Sequence, residues 1–235
     1  MSDNRSAEEE QEAVPADKAP APTVETRGRP RIKQDSEILA AALEAFAAQG
    51  FDAMSLRSLN ADLGLSHGTI SQRFGSKERL YFAAVELGFA TFLDDVDRRR
   101  RRLLGNVAVP DDLDNLRATI GGFLGAAALR PELGRLMNQE GLQRTARLDY
   151  IVDSVVIPMM QGVGATLDRL RAAGRIRPVS TRALFFLVSH GAEAPYTLTA
   201  LSSAFDEHDG VLDPQQHADE MTDLIMRGIA VTGPV

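Results

Sequence analysis

From Asp35 onward the apolar residues recur at helical spacing, and no stretch sustains the period of two that a half-buried strand needs. Leu39, Ala42, Leu43 and Phe46 fall at i, i+3, i+4 and i+7. With Asp35 and Ser36 ahead of them as caps and Gly50 behind as a stop, they predict a first helix of about 14 residues. Ser55 then caps a short helix through Asp62, Gly64 breaks it, and Ser66 caps another reaching about Arg73. After a break at Gly75, Ser76 opens a long helix with Glu78 in its first turn, ending near Leu104 and Gly105 and on the order of 40 Å long. That helix carries two apolar stripes, Leu80, Ala84, Leu87 and Val85, Phe89, Phe92, Val96, and so must be covered on two sides. Further helices are expected over about 112–129, 131–140, 145–173, 180–204 and 214–231. Pro158 and Pro195 sit inside two of them, where a kink or break is expected. The fold class is all-α.

Composition narrows the chemistry. The chain has no Cys, which excludes a disulfide framework, thiolate zinc, iron–sulfur ligation and a cysteine nucleophile. Ile120 to Leu129 and Ala183 to Val188 read as the longest apolar stretches; Arg130, and Ser189 with His190, close them short of the roughly 20 residues of a membrane span, so no transmembrane helix is expected. No membrane partner is expected, and the N-terminus, with Glu8, Glu9 and Glu10, does not read as a secretory signal. The expected location is cytoplasmic.

The formal net charge of −7 conceals an uneven distribution. Residues 1–26 carry a net −5, residues 27–80 a net +2 and the remainder −4. Residues 1–34 are rich in Glu, Ala and Pro and poor in bulky apolar groups, which predicts a disordered tail ending in a basic arm. Within it Arg27-Gly28-Arg29-Pro30-Arg31 looks like the core of an AT-hook, placing Arg29 and Arg31 to enter a narrow minor groove; a generic basic linker is the other reading.

A helix followed by two short helices around a glycine turn is the pattern of a helix-turn-helix, whose second short helix enters the major groove. Leu56, Leu59, Leu63, Leu65, Ile70 and Phe74 would close a small core with Leu43 and Phe46. His67, Gly68, Thr69, Ser71 and Gln72 are then left facing outward, with Gly68 permitting close approach to a duplex. A plain three-helix cap with a polar surface is the alternative on spacing alone.

The run Ile38 to Phe46, with Gly50-Phe51, Ser55-Leu56, Gly64-Leu65-Ser66-His67-Gly68-Thr69-Ile70 and Phe74-Gly75-Ser76-Lys77-Glu78-Arg79-Leu80, resembles the N-terminal DNA-binding region of the TetR family of bacterial repressors. The family usually has Tyr where this chain has Ser71, so that phosphate contact does not carry over, and Ala where it has Asn60. The resemblance implies a DNA-binding domain over 35–80 and a helical ligand-binding and dimerisation domain over 81–235. On that footing Ser55, Ser66, His67, Gly68, Thr69, Ser71, Gln72 and Lys77 are the expected DNA contacts, with Ser55 and Lys77 on phosphates. The expected partners are a double-stranded palindromic operator, a second copy of the chain and a small, mainly apolar effector.

For the effector, the polar groups embedded in apolar helices are Asn138, Gln139, Tyr150, Gln161, His190, Glu193 and Tyr196, with Phe123, Met137, Met159, Met160 and Phe186 as the adaptable wall. His190 and Glu193, spaced i, i+3, also suit a hydrogen-bonded pair at a subunit interface. The dimer contact is expected from Leu184 and Leu187 and from one face of the last helix, Met221, Leu224, Ile225, Gly228 and Ile229. The five arginines Arg98 to Arg102 follow Asp94, Asp95 and Asp97 at i+4 and read as helix-supporting pairs.

No catalytic or metal-ligand spacing, phosphate loop or cofactor motif stands out, so neither an enzyme nor a cofactor is expected. Asp206, His208, Asp209 and Asp213 read as an exposed acidic loop. A constitutive repressor without an effector, and a helical small-molecule carrier or enzyme, are the competing classes.

Overall fold

The computed structural model describes residues 33–105 and 107–231, so the tail before Lys33, with Arg29 and Arg31, lies outside the described residues. The described chain is all-α. The helices are α1 (Asp35–Ala53), α2 (Leu56–Asp62), α3 (Thr69–Phe74), α4 (Lys77–Leu104), α5 (Asp112–Ala127), α6 (Pro131–Glu140), α7 (Ala146–Ala172), α8 (181–197) and α9 (Pro214–Ile229). Short turns at Thr199–Ser202, Ser203–Phe205 and Asp206–Asp209 join α8 to α9. The only bridge between extended residues among the described ones is Ile176 with Ala230.

Caps account for most of the boundaries. Ser76 Oγ accepts from Arg79 N at 3.1 Å, and Thr145 and Ser180 cap α7 and α8 in the same way. Two expected caps are displaced. The first helix begins after Gln34, whose N–H donates to Glu37 at 2.8 Å, so Asp35 and Ser36 lie inside it. α3 begins after Gly68 at φ +82°, a conformation that L side chains rarely adopt, and Ser66 instead bonds Thr69 Oγ1 at 2.7 Å. Gly68 is thus fixed by the turn it makes.

α4 is covered as its stripes require: α1 and α5 pack against it, and Leu133 of α6 lies beside Gly88. One core runs from Ile38, Phe46 and Ile70 through Leu80, Tyr81 and Phe92 to Leu136 and Ile151. A second gathers Leu116, Ile120 and Leu124 of α5 with Leu167 and Leu170 of α7, Leu184 and Val188 of α8, and Ile225 and Ile229 of α9.

Neither interior proline breaks its helix. Five residues of π-helix, Val152–Val156, precede Pro158, and six, Leu187–Ala192, precede Pro195. A proline lacks the N–H that an i−4 carbonyl needs and its ring collides with that carbonyl; widening the preceding turn by one residue removes both conflicts. Glu193 N accordingly donates five residues back, to Val188 O, at 3.1 Å.

Ser154 to Leu167 is a longer run, fourteen residues without a charge. Through it α7 is long and apolar enough to cross a membrane by length and composition, contrary to the expectation that no helix would be. Its inner face is nonetheless in the core, with Ile151, Leu167 and Leu170 buried.

Candidate nucleic-acid interface and internal cavity

α2 and α3 are held in register by one buried polar side chain. Asn60 is 4% exposed; its Nδ2 donates to Leu56 O at 2.8 Å and its Oδ1 accepts from Ile70 N at 3.2 Å. Ile70 lies in the first turn of α3, where an N–H has no partner within the helix, so Asn60 supplies it from α2. Arg73 extends the attachment to α1, donating to Lys33 O at 2.7 Å and pairing with Asp35.

With Ile70 turned into the core, Ser66, His67, Ser71 and Gln72 are exposed on one side of the turn and α3, and Gly68 and Thr69 are half-buried beside them. Ser55 caps α2 at its outer end, 3.5 Å from Ser58 N. The structure therefore gathers the expected contacts around α3 and its preceding turn. Lys77 is less free than its sequence position suggests: its ammonium donates to Asp52 O at 3.1 Å and lies 4.8 Å from the Phe51 ring centre. Arg57, exposed on α2, is a cation that the sequence pattern did not single out, because no apolar periodicity or cap marks it.

The arginines at the end of α4 are structural, though their partners differ from simple i+4 pairing. Only Arg101 with Asp97, at 3.1 Å, has that spacing. Asp95 is buried and holds both Arg98 and Arg130, the latter at 3.0 Å, while Arg99 and Arg100 reach Gln215 and Asn115.

Between α4, α5, α6, α7 and α8 lie two small cavities whose linings share Phe123, Met159, Phe185 and Ser189. The first, about 50 Å³, is also faced by Phe89, Phe92, Met137, Arg130, His190 and Glu193. The second, about 100 Å³, is faced by Leu93, Ile120, Met160 and Val163 and is almost wholly apolar. Phe123, Met137, Met159, Met160, His190 and Glu193 are therefore brought together as expected.

The other candidates are not. Asn138 and Gln161 are exposed on the outer faces of their helices. Gln139 donates to Ala47 O at 2.9 Å, Tyr150 packs edge-on against Phe82, and the Tyr196 hydroxyl donates to Pro214 O at 2.9 Å. Phe186 is 53% exposed, and its neighbour Phe185 faces the cavity instead, a one-residue rotation that the π-helical turn of α8 makes hard to foresee. His190 does not pair with Glu193; its Nδ1 meets Ser189 Oγ at 2.8 Å. Burial lowers the His190 pKa and raises that of Glu193 to about 7.

α6 joins this cavity to α1. Leu133, Gly134 and Met137 face the cavity, while Arg135 bonds Glu44 at 2.8 Å and Gln139 bonds Ala47 O. At its last residue, buried Glu140 holds Arg147 at 2.9 Å, and that guanidinium lies 4.2 Å from the Phe51 ring centre at the end of α1.

The expected dimer residues divide. Leu184, Ile225 and Ile229 are buried within the chain against α5 and α7 and are unavailable to a partner; Met221 is half-buried beside them. Leu187 and Leu224 are 45% and 64% exposed. The apolar residues of α9 do not form one outward face: Ile225 and Ile229 turn inward and Leu224 outward. Among the described residues no group of His, Cys, Asp or Glu is arranged to hold a metal.

Residues 38–84 match the family model described as bacterial regulatory proteins, tetR family. Comparison with curated proteins finds no match. Solved structures similar in fold include a regulatory protein in the tetR family from Rhodococcus RHA1, 20% identical with a TM-score of 0.61 over 85% of this chain and 99% of that one. The ketosteroid transcriptional regulator KstR2 of Mycobacterium tuberculosis is 19% identical with a TM-score of 0.62, covering 86% and 97%. The fatty acid degradation regulator FadR from Bacillus halodurans is 16% identical with a TM-score of 0.57, covering 83% and 99%. The described chain therefore shares its fold with these solved regulators, and its residues 38–84 match the model of the bacterial regulatory proteins of the tetR family.

Proposed function

We propose that the protein is a transcriptional regulator that binds a palindromic operator as a dimer, reads the major groove with α3, and leaves the operator when a small, mainly apolar effector fills the cavity. The observation that carries this reading is α6, one helix with its inner face in the cavity wall and its outer face bonded to α1 of the helix-turn-helix. An effector that needs more room than the empty cavity favours a displaced α6, and with it a spacing of the two reading heads that no longer fits successive grooves. The minor-groove arm, Arg29 and Arg31, would add contacts beside the half-site.

Selecting bound DNA from a random pool, then repeating the binding with metabolite extracts, tests both halves. On the selected operator Thr69→Ala should shift base preference by about 1–3 kcal/mol at one position. Lys77→Ala should weaken all sequences alike and lower the salt slope by about one phosphate's worth. Unchanged preference and unchanged slope together would remove α3 as the reading helix, and an operator complex indifferent to every extract would favour the constitutive repressor.

A further inference from the structure

The cavity contains one group whose chemistry is out of keeping with its walls. Glu193 is 5% exposed, follows directly on the π-helical turn of α8, and faces Phe89, Phe92, Leu133 and Met137. Among the described residues no hydrogen bond or ion pair to its carboxylate is found, burial alone acts on its ionisation, and its oxygens keep some access to the cavity space. It is accommodated because residue 134 is glycine: a Cβ there would overlap Glu193 Oε1. The one arginine in the cavity wall, Arg130, bonds Asp95 through its Nε at 3.0 Å and makes no ion pair with Glu193 among the described residues. A buried carboxylate without a partner is costly to keep charged, and a ligand that brings the missing charge or donor recovers that cost on binding.

We propose that the effector taken by this cavity is a lipophilic amine, its ammonium paired with Glu193 and its apolar body in the adjoining space between Leu93, Ile120, Phe123, Met160, Val163 and Phe185. This rests on the reading of the cavity as the effector site. An anionic ligand would meet Glu193 as a like charge, and a neutral apolar one would leave the carboxylate unpaired. Burial alone raises the Glu193 pKa to about 7, with no nearby cation opposing it. The charged and titratable groups around it are Arg130 with Asp95 behind it, His190 and Tyr196 on its own helix, and His217 of α9 edge-on to Tyr196. Burial lowers the His190 pKa and so disfavours its charged form.

Three probes with one skeleton decide the matter: 4-phenylbutylamine, 4-phenylbutanol and 4-phenylbutyrate, titrated calorimetrically into the full-length protein. The amine should bind at least about tenfold more tightly than the other two. Glu193→Gln, which keeps the shape and removes the charge, should bring the amine down to the affinity of the alcohol and leave the alcohol unchanged. In the wild type at pH 7, amine binding should release about half a proton, read from buffers of different ionisation enthalpy, and alcohol binding none. The proton count does not depend on any variant folding. Equal affinity for all three probes, tighter binding of the carboxylate, or an amine that binds without proton release overturns the amine and leaves the effector cavity standing. Failure of all three to bind a cooperatively folded wild type overturns both.

Discussion

At the scale of single residues, two buried polar groups do opposite things. Asn60 has partners for both ends of its amide and couples α2 to α3. Asn60→Ala leaves the Ile70 N–H without an acceptor in a buried position and should cost about 1–3 kcal/mol in chemical denaturation, with a parallel loss of DNA affinity; a loss under about 0.5 kcal/mol would mean the clasp is idle. Glu193 has no partner, and its pKa near 7 sets a pH dependence of definite sign. The native state holds a proton that the unfolded chain releases near pH 4.5, so stability from this group is full below pH 4.5 and is lost as pH rises to about 7 and beyond. Melting measured from pH 5 to 8 should therefore show Glu193→Gln gaining on the wild type as pH rises, by a difference on the order of 3 kcal/mol at pH 8. The sequence marked both positions, Asn60 as a departure from the family pattern and Glu193 as a polar group in an apolar helix. It gave neither partner nor its absence, because Ile70 is ten residues from Asn60 and Gly134 is on another helix.

At the scale of helices, the legible features were those set by neighbours in sequence. Ser76 and its cap, the two faces of α4, and the glycine turns at 64 and 75 all follow from residues within a turn or two of one another. Faces chosen by tertiary packing were less legible, and the errors have one pattern. Phe186 in place of Phe185, and Ile225 and Ile229 assigned outward, are shifts of one position around a helix, and in α8 the π-helical turn before Pro195 adds a residue that a 3.6 period does not contain. The role of α6 is likewise invisible from its own sequence, since it depends on which of Arg135, Met137 and Gln139 meets α1 and which meets the cavity. Arg135→Ala combined with Gln139→Ala removes both bonds from α6 to α1 while leaving the cavity wall intact. The double variant should bind effector with unchanged affinity and bind operator, yet show at least about a fivefold smaller effect of effector on operator affinity, as a coupling free energy of 1–3 kcal/mol would give when lost. Full coupling in that variant, measured by operator titration with and without saturating effector, would place the route elsewhere.

At the scale of the whole molecule, α8 and the turns after it leave several large apolar side chains exposed. Phe186, Leu187, Leu198, Leu201 and Phe205 are each between 45% and 61% exposed along α8 and the turns that follow it, and Leu224 on α9 adds 64%. A monomer seldom leaves a patch of that kind open to water. In the proposed dimer these side chains meet their symmetry mates, with α8 giving the apolar stripe and α9 only Leu224 and Gly228 between Glu220, Asp223 and Arg227. In that proposed dimer the contact would centre on α8 rather than being shared equally by the last two helices, and this separates two substitutions that sequence alone would treat as equivalent. Leu187→Glu places a charge in the interface while the monomer core keeps Leu184 and Val188. It should yield a folded 25.5 kDa species in sedimentation with unchanged helical circular dichroism and operator affinity lower by about a hundredfold or more, because a single reading head then binds alone. Ile225→Glu instead buries a charge against α5 and should unfold the chain without producing a folded monomer. A Leu187→Glu protein that still sediments as a dimer would show that another surface, such as the outer face of α7 around Ile157, joins the subunits.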